Sequence, residues 1–275
     1  ELEIRKLLRR VLEETYVVVE ADRGRTADEP RKPSAVTLKI AIRNTRMSTE
    51  PDVSAGFSPA PAAPAADACV MLVHGLYMNP LWMRPLARRL RAAGWRTADF
   101  GYRSLREPPA EAGLRLAQAI RGCGAATVHC VGHSLGGLVI RHACATHGAS
   151  LPPGRCVTLA TPHAGSRVAR ALQARGATWM LGRSREAGVC GDVPDWPPAR
   201  ELGVILGTHN IGLGRWIAEL PLPADGVVAA DENACAAACA VLALPYSHTE
   251  LIFRAEAARQ VVAFLRDGRF APVAG

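Results

Sequence analysis

The strongest chemical signature in the chain is Gly132-His133-Ser134-Leu135-Gly136-Gly137. It fits the pattern G-x-S-x-G with one further glycine. The pattern is short, so its surroundings decide its weight. Residues 127–131 before it are β-rich and apolar, and residues 135–147 after it read as an apolar helix. A turn this abrupt from strand to helix forces its middle residue into strained backbone. It also holds that side chain out at the carboxyl end of the strand. Flanking glycines let neighbouring chain approach without a Cβ in the way. The hydroxyl of Ser134 then sits at a helix N-terminus, where the dipole favours developing negative charge. A serine so placed is a candidate nucleophile. The competing reading is a glycine-rich turn whose serine only caps the helix.

Acyl transfer through such a serine needs two preorganised N–H donors for the tetrahedral oxyanion. The N–H of Leu135, directly after the nucleophile, is the first candidate. The second should come from a loop after an earlier strand, and Val73-His74-Gly75-Leu76 ends one. Leu76 is the candidate donor there, with Gly75 allowing close approach. The competing reading is a strand-ending turn in which His74 merely packs.

The elements that must position these residues alternate along the chain. Residues 68–73 read as an apolar strand, 81–93 as a helix, 95–100 as a weaker strand and 111–121 as a helix. The strand 127–131 and helix 135–147 frame Ser134, and a strand follows at 156–160. After a long irregular stretch come a strand near Val204, a strand at 240–244 and a helix at 250–266. In that last helix Leu251, Ala255, Ala258, Val262 and Leu265 form one apolar face. The alternation argues an α/β fold, a mostly parallel central sheet flanked by helices. Residues 1–46 differ in character. They hold all three lysines, Lys6, Lys32 and Lys39. They read as a helix at 2–12, a strand at 15–19 and an alternating stretch at 35–42. Residues 47–67 form a Pro/Ala-rich linker. Either 1–46 is a short N-terminal appendage, or Met47 is the natural start and the residues before it have no function. Residues 68–275 form the main domain.

The net charge of +8 is carried almost wholly by arginine. No basic run interleaved with aromatics appears, so nucleic-acid binding is not expected. At most, a diffuse positive field favours anionic surfaces. The longest apolar run, 234–245, falls short of the roughly 18 residues of a membrane span. No charged-then-apolar leader is visible. The eight cysteines are scattered with no C-x-x-C pair, a usage that fits a reducing, cytoplasmic compartment while leaving a disulfide open. No metal-ligand spacing and no phosphate loop appear, so no cofactor is expected.

Taken together, four motifs resemble the α/β-hydrolase superfamily, and most closely its bacterial lipase and esterase branch. They are Val73-His74-Gly75-Leu76, Gly132-His133-Ser134-Leu135-Gly136-Gly137, Leu159-Ala160-Thr161-Pro162-His163-Ala164-Gly165-Ser166 and Asp225-Gly226-Val227-Val228. The resemblance spans roughly residues 68–266. It implies a chain order of nucleophile, acid, histidine. His248, beyond the strand 240–244, then takes the base position, with His209 the serious competitor. Asp225 takes the acid position among the local carboxylates Asp192, Asp195, Glu219, Asp231 and Glu232. The resemblance also implies carboxylic ester hydrolysis, with small-molecule or lipid-like esters as substrates. An acyltransferase, thioesterase or amidase would use the same triad, and a non-catalytic binding protein of this fold is the alternative of another class. Between 165 and 203 an apolar, tryptophan-bearing cap is expected over Ser134, against the alternative of an ordinary helical crossover.

Overall fold

The computed structural model describes residues 18–20 and 67–272 of the chain. Its strands are β1 (Val18–Glu20), β2 (Ala68–Val73), β3 (Arg96–Phe100), β4 (Thr127–His133), β5 (Cys156–Leu159), β6 (Leu202–Gly207) and β7 (Ala238–Leu244). The helices are α1 (Arg84–Ala92), α2 (Pro109–Gly122), α3 (Leu135–His147), α4 (Arg167–Ala174), α5 (Gly214–Ile217), α6 (Glu250–Phe253) and α7 (Ala255–Asp267). One sheet holds all the strands in the order β1-β7-β6-β5-β4-β2-β3. β2 to β7 run parallel, and β1 pairs antiparallel with β7 at the edge.

Helices cover both faces of this sheet, which is why its central strands read as unbroken apolar runs: every residue of β2 and β6 is buried. Alternate side chains of β2 enter opposite layers. Cys69, Met71 and Val73 pack with Leu116, Ile120 and Leu138 of α2 and α3. Val70 and Leu72 pack with Leu86 and Leu90 of α1 and Phe264 of α7. β3 is the other edge, and its exposed Arg96 and Asp99 are charges of the kind that discourage further strand pairing.

Because β2 to β7 are parallel, the loops that leave their carboxyl ends gather at one end of the sheet. β4 lies between β2 and β5, so the turn from β4 into α3 sits amid the loops after β2 and β5. The loops that carry Asp225 and His248 follow β6 and β7 to the same end.

Two expectations need correcting. The helix expected at 250–266 is broken at Arg254, whose backbone is extended (φ −82°, ψ 135°). The break resets the helical phase. The buried face of α7 is Ala257, Ala258, Val261, Phe264 and Leu265, while Ala255 is exposed and Val262 half-buried. The helix expected from 111 starts earlier, with Pro109 in its first turn, where the missing N–H of proline costs nothing. The expected helix 2–12, most of the strand 15–19, the stretch 35–42 and the linker up to residue 66 lie outside the described residues. Among the described residues, no helix is long and apolar enough to cross a membrane. Cys69, Cys123, Cys130, Cys144, Cys156, Cys190 and Cys235 are free thiols.

Candidate active site

β4 ends at His133 and α3 begins at Leu135, so Ser134 alone makes the turn. Its backbone lies at φ 53°, ψ −123°, a conformation that costs a residue with a side chain about 1–3 kcal/mol. Close packing holds it there. A Cβ on Gly132 would stand 2.6 Å from the backbone nitrogen of Gly137, so the helix can fold back over the strand only because Gly132 has no side chain. The Ser134 N–H donates to Leu159 O at 2.8 Å, and its carbonyl accepts from the Thr161 hydroxyl at 2.9 Å. The Ser134 side chain makes no capping hydrogen bond to α3. Ser134 is half-buried and lines a cavity of about 310 Å³.

Leu135 is the first residue of α3, so its N–H has no acceptor within the helix. The loop after β2 comes close by: a Cβ on Gly75 would stand 3.1 Å from the Ser134 Cβ. Leu76 lines the same cavity as Ser134. His74 does pack, and its packing fixes this loop. Its carbonyl accepts from the Tyr102 hydroxyl at 2.9 Å, and its ring stacks on Tyr102 with centroids 4.5 Å apart. Burial pushes the His74 pKa down. Tyr77, directly after Leu76, has φ 59°, and its hydroxyl donates to Met180 O across the cavity rim.

Asp225 is fully buried. One carboxylate oxygen, Oδ1, accepts from the Val227 and Val228 N–H groups at 2.9 and 2.7 Å. The Gly226 turn, at φ 93°, aims those donors back at the side chain. The other oxygen, Oδ2, lies 2.8 Å from His248 Nδ1, and the His248 N–H donates to Asp225 O at 2.9 Å. With Nδ1 engaged by the Asp225 carboxylate, Nε2 is the ring nitrogen left for a further partner. His248 lines the same cavity as Ser134.

The competing groups are placed differently. His209 is over a third exposed and pairs with Glu250 at 3.5 Å. His163 is buried against the Thr158 hydroxyl at 3.0 Å, and burial together with Arg141 pushes its pKa to about 3. Asp192, Asp195 and Glu219 are exposed. Asp231 pairs with Arg167 at 2.7 Å. Glu232 is buried and accepts the Ala229 N–H at 2.7 Å and the Arg167 backbone N–H, so it anchors the start of α4. Among the described residues, no group of three or more His, Cys, Asp or Glu could hold a metal ion.

The far wall of the cavity comes from the stretch expected to form a cap. Val168, Leu172, Met180, Leu181 and Val189 line it, joined by Leu213 and Ile217. The tryptophans do not. Trp179 is 77% exposed, the 3-10 turn Thr178–Met180 turning Met180 inward and Trp179 out, and Trp196 is buried away from the cavity with its ring N–H donating to Arg200 O at 2.7 Å. Arg167 and Arg183 point to carboxylates, Asp231 and Glu186, and are absent from the lining, as is Arg170. Thr161, Tyr102 and Glu232 support the site without any local sequence signal for that role. The partner of each lies at least 27 positions away or on a separate loop.

The family model described as "Putative serine esterase (DUF676)" matches residues 113–190, the stretch that includes Ser134 and part of the cavity wall. No curated protein matches the chain. Among solved structures, the chain is similar to the mature form of Bacillus licheniformis lipase BlEst2. The identity is 18% and the TM-score 0.56, over 75% of this chain and 94% of that one. Against the propeptide form of that lipase the values are 18% and 0.59, over 79% and 54%. The metagenomic carboxyl esterase MGS0156 is similar at 15% identity and a TM-score of 0.53, over 75% and 71%. At such identities the likeness establishes the fold: the chain has the α/β-hydrolase fold, of the kind found in bacterial lipases and esterases. The family match supports serine hydrolase chemistry.

Proposed function

We propose that the protein cleaves carboxylic esters with apolar acyl groups, using Ser134 as nucleophile, His248 as base and Asp225 as acid. The observation that carries this reading is the Asp225–His248 contact of 2.8 Å beside a serine on a strained strand-to-helix turn, with serine and histidine lining one cavity. His248 Nε2 takes the proton as Ser134 Oγ attacks the acyl carbon, and Asp225 holds the tautomer that makes this possible. The N–H groups of Leu76 and Leu135 receive the oxyanion. The tetrahedral intermediate collapses as His248 returns the proton to the departing alcohol. Water, deprotonated by the same histidine, then releases the acid from the acyl-enzyme.

The substrate class follows from the wall. Burying an acyl chain against Leu172, Met180 and Val189 contributes about 0.8 kcal/mol per methylene, or roughly fourfold in kcat/KM. Steady-state kinetics on acetyl, butyryl, octanoyl and succinyl p-nitrophenyl esters test it. The expected order rises from acetyl through the medium chains until the cavity is full, with succinyl below butyryl. A preference for succinyl over butyryl would reject an apolar acyl site.

A further inference from the structure

We infer that His133 is a positioning residue: its ring clamps the backbone of His248 and keeps the base aligned between Asp225 and Ser134. The inference rests on the reading of His248 as the base.

His248 lies in the connection between β7, which ends at Leu244, and α6, which starts at Glu250. Its carbonyl therefore has no partner from a strand ladder. His133 Nε2 supplies one at 2.9 Å. A carbonyl oxygen only accepts, so Nε2 must carry the hydrogen. That fixes the His133 tautomer and leaves Nδ1 bare. Nδ1 is buried with no hydrogen-bond partner, walled in by Gly75, where an added Cβ would stand 3.1 Å away. Burying an unpaired acceptor opposes folding, and an aliphatic side chain in this place would avoid it. What the aliphatic side chain could not do is hold the His248 carbonyl.

The clamp joins two others. The His248 N–H donates to Asp225 O at 2.9 Å, and Nδ1 meets Asp225 Oδ2 at 2.8 Å. Both come from the acid loop. The His133 contact ties the base to the element that bears the nucleophile, because His133 and Ser134 are consecutive. The rings of His133 and His248 lie 4.8 Å apart, so the clamp must not itself take a proton when His248 does. Full burial, with His248 close by, pushes the His133 pKa to about 3. It stays a neutral donor through the cycle.

The test compares H133L and H133Q with the wild-type protein on p-nitrophenyl butyrate. H133L removes the donor. H133Q places an amide N–H near the position of Nε2. We expect H133L to lose about 10- to 100-fold in kcat with KM changed less than about threefold, the signature of a misplaced base. H133Q should recover most of that loss. A folded H133L with wild-type kcat, or equal losses in both variants, overturns the inference. Nitrogen-15 NMR of the wild-type protein tests it without a variant. The His133 ring should show a protonated Nε2 and a bare Nδ1 from about pH 5 to about pH 9. The opposite tautomer, or titration within that range, overturns it. A wild-type protein that neither hydrolyses the ester nor reacts with a fluorophosphonate overturns the Ser134–His248 reading and this inference together. An active protein indifferent to H133L overturns this inference alone.

Discussion

A Cβ on Gly136 would stand 2.3 Å from the carbonyl oxygen of Val73 and 2.6 Å from that of His74. The first turn of α3 is thus pressed onto the end of β2, where the chain enters the loop that carries Leu76. The spacing between the two proposed oxyanion donors, Leu135 and Leu76, is set by this approach. Gly136→Ala must drive them apart. We expect a loss of about 1–3 kcal/mol in stability and at least roughly tenfold in kcat for the folded fraction. Thermal unfolding and turnover measured on one preparation check both. An alanine variant with unchanged melting and turnover would show that the approach does not matter.

The two oxygens of Asp225 have separate duties. Asp225→Asn can keep the Val227 and Val228 N–H bonds through its amide oxygen, but it then turns an NH2 toward His248 Nδ1. The imidazole must answer with the tautomer protonated at Nε2, which cannot accept from Ser134. The expected loss is about 10³–10⁴ in kcat with little change in KM. Retention of more than about a tenth of kcat would remove Asp225 from the acid position.

Acid should destabilise the fold through its buried histidines. Burial, as the largest cause, lowers the pKa of His74, His129, His133, His142 and His163, to about 4 for His129 and about 3 for His133 and His163. In the unfolded chain these groups bind protons below the ordinary value of 6.5. The unfolded state therefore holds more protons than the folded state between that value and the lowered ones. The stability they contribute is complete above about pH 6.5 and falls as pH drops toward 4, by up to about 1.4 kcal/mol per pH unit for each histidine. Glu232, whose pKa burial raises, acts in the opposite sense but is one group against five. Urea unfolding at about pH 7.5 and about pH 5 should show the lower midpoint at pH 5. Equal midpoints would mean these histidines are solvated.

Much of the fold could be read from local chemistry. The sequence predicts the helix 135–147 with the bounds it has, because Gly132 and Gly148 flank it and its residues are apolar almost throughout. The central strand β2 is legible as an unbroken apolar run, a direct result of burial on both faces, whereas the edge strand β3, with its exposed Arg96 and Asp99, has a weaker signal. The break at Arg254 was not legible, since no glycine or proline marks it and the residues on either side continue a helical pattern. The inward turn of Met180 and outward turn of Trp179 were also hidden: hydrophobicity alone favours the tryptophan, whereas the 3-10 turn decides the direction. For the site, the strained turn at Ser134 has a local signature. The meeting of Asp225 with His248, across 23 positions, has none and could be anticipated only through a resemblance. The contact from His133 to His248 spans 115 positions and depends on where β4 and β7 end, which no local pattern encodes.

The central claim is that Ser134 is a nucleophile activated by its surroundings. Reaction with a fluorophosphonate probe, followed by intact mass and peptide mapping, tests it most directly. The wild-type protein is expected to gain a single adduct, on the peptide that holds Ser134, and to lose esterase activity in proportion. Ser134→Ala, folded to the same melting temperature, should gain none and should hydrolyse esters several orders of magnitude more slowly. Undiminished labelling or turnover in folded Ser134→Ala, or an adduct mapped to another serine, would contradict the account.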